Sequence, residues 1–448
     1  MAVDATLPKI AGDARPLRVM FLDLNAYFAS VEQEERPELR GRPIAVVPLM
    51  ADSTFVIAAS YEAKRFGVKT GTRVGDARNL CPGIELVQAR PPLYVHYHRR
   101  VLDVVETVLP IDKVCSIDEM RFRLLGKERD PEQALELARR MKAALAEHVG
   151  PCMTASIGLA PNAFLAKVAT DLQKPDGLVM IQAHELPDRL RGLKLTEFAG
   201  INRRMEVRLQ ASGIFTSDEM LAASAADLAR AFGSITGERW WFLLRGYEVD
   251  FEARDNQSLG HSHVLAPELR TEQGARDVLL RLAQKATARL RANGFWASGM
   301  AITVRGKKRH WHTHTRLPPT QDSITVTERL LELWRDHDFD VPQMVGITFT
   351  EIATAEAITP SLFEPTVDRS KLSHAVDRVN QKFGKNSVFL AGIEQTRATA
   401  DEKIAFNKTW LFSEGKDDNV WPDTFRGNPR GPSEEGADLV DEWDEPAT

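Results

Sequence analysis

Apolar runs and amphipathic stretches alternate along the first 180 residues. Residues 18–23, RVMFLD, are apolar up to a terminal carboxylate and predict a buried strand, followed by a helix start in AYFASVEQE at 26–34. PIAVVPL (43–49) and FVIAA (55–59) read as two more strands, and SYEAKRFG (60–67) as a helix closed by Gly67. A helix is expected over 95–109, and VCSIDEMRFRL (114–124) alternates like strands around an acidic turn. EQALELARRMKAALAEH (132–148) is a strongly amphipathic helix, CMTASIGLA (152–160) a strand, and NAFLAKVATDLQ (162–173) a helix ended by Pro175 and Gly177.

The second half is patterned differently. Residues 186–245 read as short helices, and 247–262 have no period and are expected to be a linker. Beyond it HVLAPEL, MAITVRG and MVGITFTEI, with long helices over about 271–293 and 322–337, predict a small sheet backed by two helices. One helix follows at 369–384, and the last 35 or so residues read as disordered. The whole predicts an α+β multidomain chain without repeats.

Composition adds two things. A length of 448 residues implies several domains, and 43% hydrophobic with 27% charged residues is ordinary for a soluble protein. No apolar run is long enough for a signal peptide or a membrane span, and three widely spaced cysteines, Cys81, Cys115 and Cys152, argue against a disulfide framework or a zinc site, so a reducing cytoplasm is expected. The net charge of −5 hides an asymmetry: residues 413–448 hold eleven acidic and three basic side chains, a net of −8, leaving +3 for the rest. Within that rest, residues 254–316 carry twelve basic and four acidic side chains, a basic module that points to nucleic acid.

The candidate chemistry begins with acids. Asp23 closes one apolar strand and Asp118-Glu119 another; three carboxylates on neighbouring strands could hold two Mg²⁺ ions about 3.5–4 Å apart, an arrangement that serves nucleotidyl transfer. Adjacent strand residues point to opposite faces, so Asp118 and Glu119 share a site only if the chain bends there. Taken alone, an Asp at a strand end is more often a cap or turn residue. Tyr61, Lys64 and Arg65 share a helix face and suit a triphosphate, or are a solvated surface; Lys174 either complements a helix dipole or reaches a phosphate. Residues 196–214 read as a helix-turn-helix around Gly200-Ile201-Asn202. Arg305, Lys307, Lys308 and Arg309 lie beside Trp311 on a strand that could grip a phosphate backbone or merely guard a sheet edge.

FLDLNAYFASVE, ASYEAKRFG, CSIDE and SIGLAPNAFLAKVATDLQKPDGL follow one another in the order, and at about the spacing, of the Y-family (DinB/UmuC-like) translesion DNA polymerases, which this chain resembles to about residue 390. The resemblance implies a right-hand polymerase: palm over 1–27 and 80–172, small fingers over 28–79, helical thumb over 173–246, and an α/β little finger over 263–355. After these come a partner-binding extension over 356–412 and a flexible acidic C-terminal tail over 413–448. By the same likeness Asp23, Asp118 and Glu119 would be the metal carboxylates, with the Leu24 carbonyl as a further ligand. Phe28 would be the steric gate against a 2′-hydroxyl with Tyr27 beside it, and Tyr61 and Lys174 would contact the triphosphate. Gly200 and Asn202 would lie in a thumb helix-hairpin-helix that holds DNA phosphate.

The chain departs from the family pattern at Asn25, usually Asp; at Ala58, often Thr; and at Lys64-Arg65, where the order looks swapped. Leu362-Phe363 resembles a sliding-clamp segment without its initial Gln. The implied partners are primer-template DNA, dNTP, a sliding clamp and recombinase. The alternative expectation is a Y-family-derived accessory factor of a mutagenesis complex with little polymerase activity.

Overall fold

The structure, a computed structural model, describes residues 15–52, 54–249, 258–358, 369–383 and 387–389. Those up to 249 form one compact unit and those from 258 onward a second. The clamp-binding candidates Leu362 and Phe363 and the acidic tail lie outside the described residues.

The first unit contains strands β1 (Val19–Leu24), β2 (Ile44–Val47), β3 (Ala58–Ala59), β4 (Glu85–Gln88), β5 (Ile111–Val114), β6 (Glu119–Arg123), β7 (Ala155–Ala160) and β8 (Leu178–Met180). Its helices are α1 (Tyr27–Glu35), α2 (Tyr61–Lys64), α3 (Val74–Leu80), α4 (Pro91–Glu106), α5 (Pro131–His148), α6 (Ala163–Leu172), α7 (Arg203–Ala211), α8 (Ser217–Ala222), α9 (Ala225–Phe232) and α10 (Ile235–Leu243).

A five-stranded sheet in the order β5-β6-β1-β7-β8 is the palm. β1 lies at its centre with both faces covered, which is why its sequence is an unbroken apolar run. Met20, Leu22 and Leu24 enter a core shared with Tyr94, Val101 and Met141 of α4 and α5. Val19 and Phe21 face the other way, onto Leu165, Ala166 and Ala169 of α6. Period-two alternation then places Asp23 on the α6 face. β7 can lie this close to α6 because Gly158 has no side chain: a Cβ there would fall 2.0 Å from the Ala166 carbonyl oxygen.

The fingers hold a three-stranded sheet, β3-β2-β4, over a separate small core of Ala45, Val47, Val56, Ala63 and Val74. FVIAA is strand only over its last two residues; Phe55 instead bridges to Arg73. The thumb helices α7 to α10 are short because a capping residue recurs within each few turns. Asn202, Thr216, Ser224 and Ser234 each accept a backbone N–H from the first turn of the helix that follows. The first arm of the expected helix-turn-helix is only a 3-10 turn, Leu195–Glu197.

The second unit, the little finger, contains β9 (Ser258–Val264), α11 (Glu272–Ala292), β10 (Phe295–Gly306), β11 (His310–Thr320), α12 (Ser323–Trp334), β12 (Pro342–Thr354) and α13 (Ser370–Phe383). Its four strands run antiparallel in the order β11-β10-β12-β9, and Val278, Leu282, Leu290 and Leu330 of α11 and α12 pack on Ile302, Val304, Ile347 and Phe349 of the sheet. β9 begins at Ser258, inside the stretch expected as linker. Its inward positions include His261 and His263, paired with Ile347 and Val345, and its outward ones are Ser258, Gly260, Ser262 and Val264, so no apolar alternation marks it. HVLAPEL is correspondingly strand only at His263-Val264, with Pro267–Leu269 a 3-10 turn. α13 is held to this unit by Asp377, which accepts from Nε and Nη2 of Arg291 (2.6 and 2.8 Å), and by Ser373 donating to Asp322 (3.0 Å).

Candidate active site

The antiparallel register of β1 and β6 sets Asp23 directly opposite Glu119. Just before Glu119 the chain bends over residues 116–118, and the bend is closed by the Cys115 and Ser116 N–H groups donating to the Glu119 carbonyl (2.9 and 3.2 Å). It is stitched to β1 by the Leu24 N–H donating to the Asp118 carbonyl (2.9 Å). The turn on which the shared site depends is therefore present. Burial first, then the charges of Glu119 and Asp23, push the Asp118 carboxyl up to about 7, while the Ser116 hydroxyl donates to it.

One residue that sequence reasoning missed governs this group. Lys167, on the α6 face turned to β1, reaches Asp23, Glu119 (2.9 Å) and Asp171 (3.5 Å) with a single ammonium. The three carboxylates hold Lys167 strongly protonated despite its burial. The available signal was a single cation inside the apolar run FLAKVA. Lys174 also reaches Asp23 and Asp171, at 2.8 Å each. With both lysines beside it, the Asp23 carboxyl sits below its usual range although burial opposes this.

Among the described residues no three His, Cys, Asp or Glu side chains close on a common point as they stand; Lys167 lies between Asp23 and Glu119 instead. The donor set nevertheless fits a hard divalent cation. Three carboxylates share one locality, and burial, then the charges of the other two, push Asp118 toward its neutral form, which a cation would reverse.

The remaining predicted residues gather around this point. Ala26 adopts a left-handed conformation (φ 46°), which reverses the chain from β1 straight into α1. Asn25 is buried in that turn; its amide donates to Ser156 Oγ (3.0 Å), and its carbonyl accepts from the Asp176 N–H (2.8 Å), which anchors the loop carrying Lys174. The carboxamide serves here as both donor and acceptor, a role the usual Asp could fill only on the acceptor side. Phe28 stacks on Tyr94, ring centroids 4.5 Å apart and planes 23° from parallel, and the Tyr27 hydroxyl donates to the Tyr94 carbonyl (2.6 Å). Burial, then the Asp118 charge, pushes the Tyr27 hydroxyl well up, so it stays neutral.

Below these aromatics Glu32, fully buried, accepts from Arg36 (2.8 Å), Arg90 (3.1 Å through Nε) and the Tyr94 hydroxyl (2.7 Å), locking α1 to α4. Neither Glu32 nor Tyr94 was singled out from the sequence. From the fingers, the Lys64 ammonium lies 4.1 Å from the centre of the Tyr61 ring. Desolvation, then Lys174, lowers Lys64, while the Tyr61 hydroxyl is raised by burial with Lys174, Asp23 and Asn25 near it. Arg65 is the exposed C-cap of α2, tied to Tyr61 only through its backbone N–H donating to the Tyr61 carbonyl (3.2 Å).

The DNA-handling candidates lie elsewhere. Gly200 has φ +102° and packs near Trp240, and Asn202 caps α7 by accepting the Met205 N–H (2.8 Å). Lys307 and Lys308 form the tip of the β10–β11 hairpin. Asp340 accepts the Lys308 and Arg309 N–H groups (2.8 and 3.2 Å), and Arg309 pairs with Asp338 (2.7 Å). Trp311, expected beside these cations, is instead turned inward, edge-on to Trp334 at 5.7 Å. Alternation along β11 sends Trp311 to the core and its neighbours outward. Cys81 is buried and Cys115 and Cys152 are half-buried, and no helix among the described residues is long and apolar enough to cross a membrane.

A palm sheet bearing three clustered acids, a small fingers domain presenting Tyr61 and Lys64 toward them, a helical thumb and a separate basic α/β unit define a right-hand nucleotide polymerase. The impB/mucB/samB family model matches residues 22–171, and the model of that family's C-terminal domain matches residues 256–362. The chain is 32% identical over 383 residues to the DNA polymerase IV of Moorella thermoacetica, covering 83% of this chain and 95% of that one. It is 27% identical over 414 residues to DNA polymerase IV 1 of Bacillus subtilis, covering 89% and 99%. Among solved structures it resembles a Y-family DNA polymerase chimera, Dbh-Dpo4(243-245)-Dbh, with a TM-score of 0.63 at 25% identity over 75% of this chain and 99% of that one. An insertion ternary complex of Dbh DNA polymerase matches with a TM-score of 0.50 at 25% identity over the same shares.

The chain belongs to the impB/mucB/samB family, the Y-family (DinB-like) DNA polymerases. It is a DNA-directed DNA polymerase of the translesion class, and nothing in these likenesses favours the accessory-factor alternative. Membership implies use of a divalent metal.

Proposed function

We propose that Asp23, Asp118 and Glu119, with the Leu24 carbonyl, hold two Mg²⁺ ions for template-directed addition of dNTP to primer-template DNA. One observation carries the assignment: the β1–β6 register sets Asp23 opposite Glu119, and the bend beside it brings in Asp118. When bound, such ions activate a 3′-hydroxyl and neutralise charge on the leaving pyrophosphate. Lys174, Tyr61 and Lys64 form the seat of the triphosphate, and Arg65 extends it from the end of α2. Lys64 acts as a point charge, without the two-pronged grip of an arginine.

Phe28, fixed by its stack on Tyr94, is the gate against a 2′-hydroxyl, with Tyr27 bracing it. The turn at Gly200 and Asn202 and the cations Arg305, Lys307, Lys308 and Arg309 hold DNA phosphates without reading sequence. The palm, fingers, thumb and little-finger limits are taken as expected from the sequence, except that β4 (85–88) goes with the fingers sheet, β8 (178–180) with the palm sheet, and the little finger begins at Ser258. A sliding clamp at Leu362-Phe363 and a recombinase are the further partners, and the cytoplasm is the place of action; these rest on sequence likeness.

The test is primer extension with Mg²⁺ and all four dNTPs. Wild type extends the primer, and Asp118→Ala abolishes extension while leaving DNA binding roughly unchanged. Extension retained by Asp118→Ala refutes the site.

A further inference from the structure

Two lysines and three carboxylates interleave at the C-terminal end of α6, and Asp171 is the one among them without an assigned role. Asp23 and Glu119 stand opposite each other on β1 and β6. Lys167 reaches both, and Lys174 reaches Asp23 at 2.8 Å. Asp171 lies 2.8 Å from the Lys174 ammonium and 3.5 Å from that of Lys167. Each lysine is therefore shared between Asp171 and an acid of the palm sheet.

The helix itself gives no reason for a carboxylate there. Asp171 lies in the last turn of α6, where the exposed carbonyl ends disfavour negative charge. What it faces are the two ammonium groups: Lys167 lies one turn back on the same side of the helix, and Lys174 just beyond its end. The carboxylates are also graded in depth, with side-chain exposures of 7% at Asp23, 23% at Glu119 and 35% at Asp171. Asp23 and Glu119 can take a divalent cation only by releasing the ammonium between them, since two positive charges so close would repel strongly. A released ammonium left without an anion would be a costly buried charge. The flexible stem of a lysine can instead swing its head outward, and Asp171 is a carboxylate already within reach of both.

Resting on the metal site proposed above, we propose that Asp171 is a positioning residue for it: Asp171 keeps the ammonium groups of Lys167 and Lys174 when Asp23 and Glu119 turn to a divalent cation. The lysines neutralise the acid pair beforehand, and Asp171 then draws them toward solvent. Asp171 thereby raises cation affinity through the lysines, without touching the ion. Its removal leaves both ammonium groups dependent on Asp23 and Glu119, for which they then compete harder.

The experiment titrates the full, nucleotide-free chain with Mn²⁺ by calorimetry. Asp171→Asn should weaken binding about fivefold, the effect of losing two partly exposed ion pairs at roughly twofold or more each, and Asp171→Glu should stay within about twofold of wild type. In a K167M/K174M background, Asp171→Asn should change the affinity by less than about twofold, because the groups it acts through are gone. A direct pull of Asp171 on the ion would persist in that background, so equal losses in the two backgrounds overturn the inference. K167M and K174M taken singly should each shrink the Asp171→Asn effect, which keeps the comparison available if circular dichroism shows the double background to be unfolded. Asp118→Ala separates this inference from the site itself. Mn²⁺ bound by Asp118→Ala as by wild type removes the metal site and the inference with it. Binding lost in Asp118→Ala but unchanged in Asp171→Asn overturns the role of Asp171 alone.

Discussion

His98 is fully buried on α4, and its Nδ1–H donates to the Ile117 carbonyl at 2.7 Å, one residue before Asp118. Nε2 has no hydrogen-bond partner among the described residues. Burial pushes the imidazole down from 6.5 to about 4, against the pull of the Ile117 carbonyl. A base whose pKa falls on folding contributes no penalty above its unfolded value and opposes folding progressively below it. The cost of His98 therefore grows as the pH drops from about 6.5 to about 4 and levels off below that, where both states carry the proton. About 2.5 units at about 1.4 kcal/mol each gives a loss on the order of 3 kcal/mol.

His98→Gln keeps an N–H donor and removes the titration. Thermal melts of wild type and variant, taken by circular dichroism at a series of pH values, should therefore diverge through that window by several degrees, about 2–4 °C per kcal/mol for a unit of this size. Contributions from carboxylates are common to both proteins and cancel in the difference. Parallel curves for the two would refute the argument.

The same bond makes a second, separable claim. His98→Leu leaves the Ile117 carbonyl without its donor, at about 1–3 kcal/mol of stability. It also slackens the bend that carries Asp118, so kcat should fall while the KM for dNTP stays nearly constant, with partial recovery in His98→Gln. A fall in stability with kcat intact would reduce His98 to a packing residue.

Three other outcomes are expected. Lys167→Met removes the ammonium shared by Asp23 and Glu119, so Mn²⁺ should bind the nucleotide-free protein about tenfold tighter or more by calorimetry, since a competing charge is gone; equal or weaker binding would contradict the contact. Glu32→Ala strands two guanidinium groups and the Tyr94 hydroxyl, and urea unfolding should show a loss of roughly 3–5 kcal/mol; a loss below about 1 kcal/mol would mean the network is ornamental to stability. Phe28→Ala should raise ribonucleotide incorporation by at least about tenfold, read from single-nucleotide insertion kinetics, because the ring held by Tyr94 is what a 2′-hydroxyl would meet; unchanged discrimination removes Phe28 from that role.

Most of the palm was legible because its strands are buried on both faces: β1 and β7 read as continuous apolar runs. β9 was not legible for the opposite reason, since its inward residues include imidazoles and its outward ones are serine and glycine with an exposed Val264. Trp311 was misplaced by proximity in sequence to four cations, although the period of two in His310-Trp311-His312 separates them. The acids themselves were visible, but their meeting was not. Alternation alone sends Asp118 and Glu119 to opposite faces. They share a locality because the chain bends over 116–118, and that bend is held by bonds from Leu24, Cys115 and His98 that are distant in sequence or hidden in the backbone. Lys167 escaped notice likewise. On a helix it is one cation among apolar residues, and only the strand register that puts Asp23 opposite Glu119 gives it two carboxylates to join. Residue types therefore revealed the chemistry on offer, while the long-range pairings decided which of those residues act on one another.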